Sequence, residues 1–223
     1  MVQLFLIGLV LKSVFAVSEW YAVLGLLTLM TTIAGISAVS RTQRRFRGIY
    51  LDSIVAIWSS SWVVAGYALL VIFSDVEPWY KPQYAIPLTG MILGNSLNGI
   101  SLGLNRLSEQ LALERDRVEA LLALGATRWE AARGSVRDAI RTGMTPVINS
   151  MMVVGIVNLP GMMTGQLLSG VDPSQAVRYQ IVIMFLIAAA TALGTVCVVL
   201  LSYRRLFNSN HQFGYGLIGR KVR

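Results

Sequence analysis

One cysteine, Cys197, and one histidine, His211, occur in the 223 residues. A lone thiol inside an apolar run cannot build a disulfide framework or a cysteine metal site, so packing is its expected role. His211 lies in a polar tail, and a metal centre needs several converging donors, so no metal chemistry is assigned to it. Charge is scarce as well. Asp, Glu, Lys and Arg make up 13% of the chain, against about a quarter in soluble domains. With 55% hydrophobic residues and a mean hydropathy of +0.62, the composition is that of an integral membrane protein. No G-x-x-x-x-G-K-[ST] phosphate loop occurs, which excludes the chain as an ATPase. Apart from Lys12 in the first apolar run, no charged group or histidine lies deep in such a run, where proton- or sodium-driven pumps carry them. Uphill transport by this chain would need energy from a partner.

Long apolar runs are what the chain does have. They predict an all-α membrane protein, one domain over 1–223, with about six transmembrane helices at 2–17, 20–40, 50–74, 84–105, 143–170 and 177–203. The first run is at the short limit for crossing a bilayer. A signal peptide does not fit it, because the basic n-region is missing and more apolar sequence follows. Sixteen of the nineteen Lys and Arg residues fall in the loop after the second run, in the segment 106–141 and in the tail 204–223. The positive-inside rule makes these segments cytoplasmic, together with both termini, and explains the net charge of +8 without nucleic acid. The opposite loop, 75–83, mixes Pro78 and Pro82 with Trp79 and Tyr80, as expected where chain meets lipid headgroups.

Within the spans, Gly90 with Gly94, Gly99 with Gly103 and Gly161 with Gly165 repeat at the four-residue spacing that lets helices approach closely. The fifth run is interrupted by Pro146 and Pro160, and broken helices tend to border translocation routes. Its amides Asn149, Asn158 and Gln166, and Asn95, Asn98 and Asn105 on one face of the fourth run, can bond neighbouring helices or line a hydrated path. Asp52, at a span boundary, is expected to pair with a nearby arginine.

The segment 106–141 holds 13 of the 30 Lys, Arg, Asp and Glu residues. Leucines and Val118 recur on one face from 105 to 124, predicting an amphipathic helix. Gly125 supplies a stop, and Thr127 with Glu130 makes the capping box that starts a second helix. A cytoplasmic helix-turn-helix knob is therefore expected between spans four and five, suited to a partner's groove.

Glu119-Ala120 followed by Gly125 is similar to the EAA-type loop of ATP-binding-cassette permeases. Four more phrases stand in order with it: Ile86-Pro87 to Gly94-Asn95, Leu122 to Thr127, Leu159-Pro160-Gly161-Met162-Met163-Thr164-Gly165, and Asp172-Pro173 leading to Tyr179-Gln180-Ile181. Together they resemble the FetB (YbbM) family of permeases, related to plant aluminium-tolerance membrane proteins, over about 2–211. The resemblance implies the membrane subunit of an ABC exporter in the bacterial inner membrane, associated with iron efflux and resistance to oxidative stress. ATP and Mg would sit on a separate FetA-like ATPase subunit, with no cofactor on this chain, and the permease would be a homodimer. By position, Glu119, Ala120, Leu124, Gly125, Ala126, Thr127 and Arg128 would contact the ATPase. Asn95, Asn98, Asn158, Pro160, Met162, Met163 and Gln166 are the candidates for the translocation path. Family members carry a further span and charged linker ahead of 2–17, which implies a truncated form or a late start here. No metal ligands are assigned, because hard cations want carboxylates and soft ones thiolates. An iron chelate or another small solute fits the thioethers and amides equally well. An ATPase-linked scaffold that moves nothing across the membrane is the alternative from another class, and an importer ranks below export.

Overall fold

Helices carry the fold in the computed structural model, which describes residues 19–72, 78, 80–208, 212–217 and 219–220. The expected span 2–17, part of the loop 75–83 and His211 lie outside the described residues. Helix α1, Trp20–Ser40, leads through the two-residue strand β1, Arg44–Arg45, to α2, Ile49–Tyr67, whose end widens into a π-helical turn, Ala68–Ile72. Next come α3, Pro82–Leu113, α4, Arg115–Ala123, α5, Arg128–Val153, α6, Gly161–Leu168, and α7, Pro173–Leu206. The tail makes a 3-10 turn, Tyr215–Leu217, and a strand β2, Gly219–Arg220, which pairs antiparallel with β1. Pro82 and Pro173 each open a helix, where the fixed φ is already helical and the missing N–H has no partner to lose. Asp172 caps α7 by accepting the Gln175 N–H at 3.2 Å.

Among the described residues, three helical segments, Trp20–Ser40, Ile49–Ile72 and Pro173–Leu206, are long and apolar enough to cross a membrane. Six were expected; the run 2–17 lies outside the described residues, and for the other two the difference has local causes. The run 84–105 is contained in α3, but Pro87, three asparagines and four glycines dilute its apolar sequence. The run 143–170 is not one helix. Helix α5 continues through Pro146 to Val153, the chain then leaves the helix at 154–160, turning on Gly155 at φ 81°, and α6 restarts at Gly161. Of the two prolines only Pro160 marks the break. Proline pushes the residue before it out of the helical region and has no N–H for a preceding carbonyl.

The packing is tightest where α3, α5 and α7 meet. A Cβ added to Gly143 would stand 2.6 Å from the Gly99 carbonyl oxygen and 2.6 Å from Thr195 Cγ2, so the glycines allow backbone contact. Gly99 and Gly103 thus fulfil the expected contact motif. Gly94, Gly161 and Gly165 face open space, and Gly90 meets only the Met30 methyl at 3.6 Å. Two apolar clusters fill the bundle. One, with Ile57, Ile100, Leu107 and Phe207, lies toward the charged segment, and the other, with Leu69, Ile92 and Ile183, toward the opposite end.

One ion pair ties distant parts of the chain together. Arg205, in the last turn of α7, grips Asp52, in the first turn of α2, through Nη2 at 2.6 Å and Nε at 2.9 and 3.1 Å. The expected arginine partner of Asp52 therefore comes from 153 residues away. Gly48, at φ 90°, makes room for it, since a Cβ there would lie 2.5 Å from Arg205 Nη1.

Candidate functional site

The charged segment folds as a capped turn on two helices. The amphipathic helix expected over 105–124 is interrupted at Glu114, whose φ of −94° and ψ of 20° separate α3 from α4. Helix α4 is anchored by Val118, its one fully buried residue. It ends in a Schellman arrangement, with the Ala126 N–H donating to Leu121 O at 3.0 Å and the Gly125 N–H to Leu122 O at 3.1 Å, around Gly125 at φ 89°. The capping box predicted for α5 is present. Thr127 Oγ1 accepts the Glu130 N–H at 3.3 Å, and Glu130 Oε2 accepts the Thr127 N–H at 2.8 Å. Both sides of the turn are thus satisfied internally while its tip stays bare. Leu124 is 85% exposed and Gly125 has nothing within 4 Å of where a Cβ would be. Glu119, Ala120 and Thr127 are exposed, whereas Ala126 and Arg128 are half-buried. Glu119 is held by Arg115 Nε at 2.8 Å.

The two hydrogen bonds from Thr127 hold the Glu130 carboxyl below its ordinary value of 4.5. A depressed folded value stabilises the cap fully above that pH and loses the contribution as pH falls through the folded value. As pH falls below 4.5, the protection of the Glu130 and Ala131 amides, measured against their intrinsic exchange rates at each pH, is therefore expected to fall. Thr127→Ala, costing about 1 kcal/mol of cap stability, should lower that protection already at neutral pH. Equal protection in both proteins across this range would refute the cap.

Sequence reasoning missed the tail's part in holding the knob. Arg115 stacks over the Tyr215 ring at 4.3 Å, and Tyr215, Phe213, Phe207, Tyr203 and Trp129 form a chain of ring contacts that returns to the start of α5. Arg128 Nη1 donates to Asn208 O at 3.1 Å. Aromatic spacing was visible in the tail, but nothing local to it names Arg115 as a partner.

The path candidates do not form one site. Asn98 accepts from Arg41 Nη1 at 2.8 Å, and Asn105, on the same face, accepts the Gln43 N–H at 3.0 Å, so both fix the chain after α1. Asn95 donates to its own helix at Met91 O. Asn158 and Pro160 lie in the link 154–160, with Asn158 exposed. Met162 and Gln166 line a cavity of about 450 Å³ together with Gln83, Tyr84 and Met91 of α3 and Tyr179 of α7. Met163 points instead into a second cavity of about 240 Å³ with Met151, Gln180 and Met184. The adjacent methionines are thus split between two faces of α6. Among the described residues no three His, Cys, Asp or Glu side chains converge as a metal site would require.

A family model described as "Uncharacterised protein family (UPF0014)" matches residues 1–207. A UPF0014 membrane protein of Synechocystis sp. is 43% identical over 94% of this chain and 81% of its own length. The "Probable iron export permease protein FetB" of Escherichia coli K12 is 34% identical, covering 95% of this chain and 80% of that protein. The Arabidopsis thaliana "Protein ALUMINUM SENSITIVE 3" is 29% identical over 94% and 75%. No solved structure matches.

Proposed function

Because the chain belongs to the UPF0014 family of membrane proteins, we propose that it is the permease subunit of an ATP-binding-cassette transporter that exports iron, driven by a separate ATPase. The observation that carries the proposal is the bare, doubly capped turn at Leu124 to Thr127, rigid by its own hydrogen bonds and seated on helices that reach into the bundle. A surface whose polar groups are already satisfied, with an apolar residue at its tip, suits insertion into a partner's groove. Closure of the ATPase on ATP would push the turn. The push would pass along α5 to the Gly143 crossing with α3 and α7, and end at the break 154–160, beside the wall formed by α6. Glu119, Ala120, Leu124, Gly125, Ala126, Thr127 and Arg128 are the proposed ATPase contacts. A homodimer in the bacterial inner membrane, with six spans and both termini cytoplasmic, completes the proposal.

Substituting Glu119→Ala or Leu124→Asp should cut coupled ATP hydrolysis about tenfold, the effect of losing one central contact of an interface, in vesicles holding both subunits. Unchanged coupling would remove the turn from the mechanism. Hydrolysis without solute flux would favour the scaffold instead. A different small solute in place of iron is the second reading, favoured by the uncharged side chains that line the larger cavity among the described residues.

A further inference from the structure

The larger cavity lies between the end of α2, the start of α3, α6 and the start of α7. Its volume of about 450 Å³ falls within the roughly 300–1,000 Å³ typical of small-molecule sites. Its walls are chemically one-sided. Tyr84, Tyr179, Met91 and Met162 contribute aromatic and thioether surface, Gln83 and Gln166 contribute amides, and among the described residues no lining side chain carries a formal charge. Gln166 Oε1 is buried without a donor from the protein, and a buried acceptor in a ligand-sized space calls for a donor on the occupant.

A multivalent cation would fare badly in this cavity. Moving it from water onto such walls removes its hydration without supplying countercharge. Hard cations also take oxygen shells rich in carboxylate, and the described residues of these walls supply none. A solute that brings its own neutralising shell meets neither difficulty. Its apolar exterior would lie on the methionines and tyrosines, and a donor on its rim would satisfy Gln166.

Helix α6 suits the task of admitting such a solute. It buries no residue completely, and it is bounded by turns at Gly155, φ 81°, and Gly170, φ 85°, which let the chain change direction on either side. A wall so lightly packed can move without opening the bundle.

We infer that this cavity receives solutes of low net charge and chelate size, such as a metal already wrapped by an organic ligand, and holds them through Gln166 and its apolar walls. This deepens the permease proposal and rests on it. The thioethers of Met91 and Met162 then serve as contact surface and are not metal ligands.

The test uses the full-length permease in nanodiscs and equilibrium dialysis with radiolabelled iron in two forms. One is neutral tris(acetohydroxamato)iron(III) in excess acetohydroxamate, whose N–H groups are donors; the other is Fe(II) chloride kept reduced. The neutral complex should bind saturably and Fe(II) should not. Gln166→Leu should weaken binding about tenfold, as expected for a lost hydrogen bond in a buried site, and Leu88→Trp, which fills the space, should abolish it. Met91→Leu and Met162→Leu, which keep volume and remove sulfur, should leave binding within about twofold. Failure of the complex to bind overturns the inference. So does saturable Fe(II) binding that disappears in Met162→Leu, since the cavity would then be a cation site. Coupling measured with Glu119→Ala keeps the two proposals apart. Loss of coupling there, with no binding of the complex, leaves the permease standing and removes only the cavity assignment.

Discussion

Arg205→Ala is expected to destabilise the folded chain by about 3–5 kcal/mol, the cost of stranding one member of a buried ion pair, and to do so more severely than Asp52→Ala. The asymmetry follows from burial. The Asp52 side chain is 3% exposed and that of Arg205 38%. Removing the guanidinium leaves a carboxylate sealed among α2 and α7 with no charge partner. Removing the carboxylate leaves a long side chain that can swing its head into water. A loss nearer 1–3 kcal/mol is therefore expected for Asp52→Ala, the range for an interaction whose orphaned partner can be rehydrated. The double variant should be less damaged than Arg205→Ala alone, because it leaves no stranded charge. Thermal unfolding in one detergent, followed by tryptophan fluorescence, measures all three. If Asp52→Ala proved the more damaging, or if the double variant showed simple additivity, the pair would not be the clamp between α2 and α7 that its geometry implies.

Asp52 also shows what a sequence can and cannot carry. Its need for an arginine was legible, because a carboxylate at a span boundary must be compensated. Which arginine was not, since Arg41, Arg44, Arg45 and Arg47 are all nearer in sequence and only the packing of α7 against α2 selects Arg205. The turn at Gly125 was legible in full detail, because caps are set by neighbours within six residues. The helix before it was read too long. The leucine periodicity continues across Glu114 although the backbone breaks there, and side-chain spacing is blind to a single residue leaving the helix. The break in 143–170 was anticipated from its prolines, yet Pro146 is absorbed within α5 while Pro160 is not. Proline frees hydrogen bonds wherever it stands, and surrounding packing decides whether the helix continues. The cavity was half legible. Met162 and Gln166 stood out beside Pro160, but their opposite walls, Tyr84, Met91 and Tyr179, come from other helices and carry no shared motif.

Gly143→Ala should cost about 1–3 kcal/mol, the range for overpacking a filled core, while Gly94→Ala should change stability by no more than about 1 kcal/mol, the scale of helix propensity. Both glycines sit inside helices, and Gly94 belongs to a four-residue glycine pair whereas Gly143 belongs to none. Motif reasoning would rank them the other way. The structure decides by what a methyl group would meet. At Gly94 there is nothing within 4 Å, whereas at Gly143 the new carbon would lie 2.6 Å from both Gly99 O and Thr195 Cγ2. The threonine methyl can be removed and the carbonyl cannot. Adding Thr195→Ser to Gly143→Ala should therefore recover part of the loss, leaving the share due to backbone contact with α3. A coupling defect is expected in the same variant, because the crossing lies between the Gly125 turn and the break at 154–160, and prying α5 from α3 loosens that connection. Unfolding temperatures of the four proteins in one detergent, with ATPase stimulation alongside, provide the check. Equal stability of Gly143→Ala and Gly94→Ala would mean that α3 and α5 do not touch at Gly99.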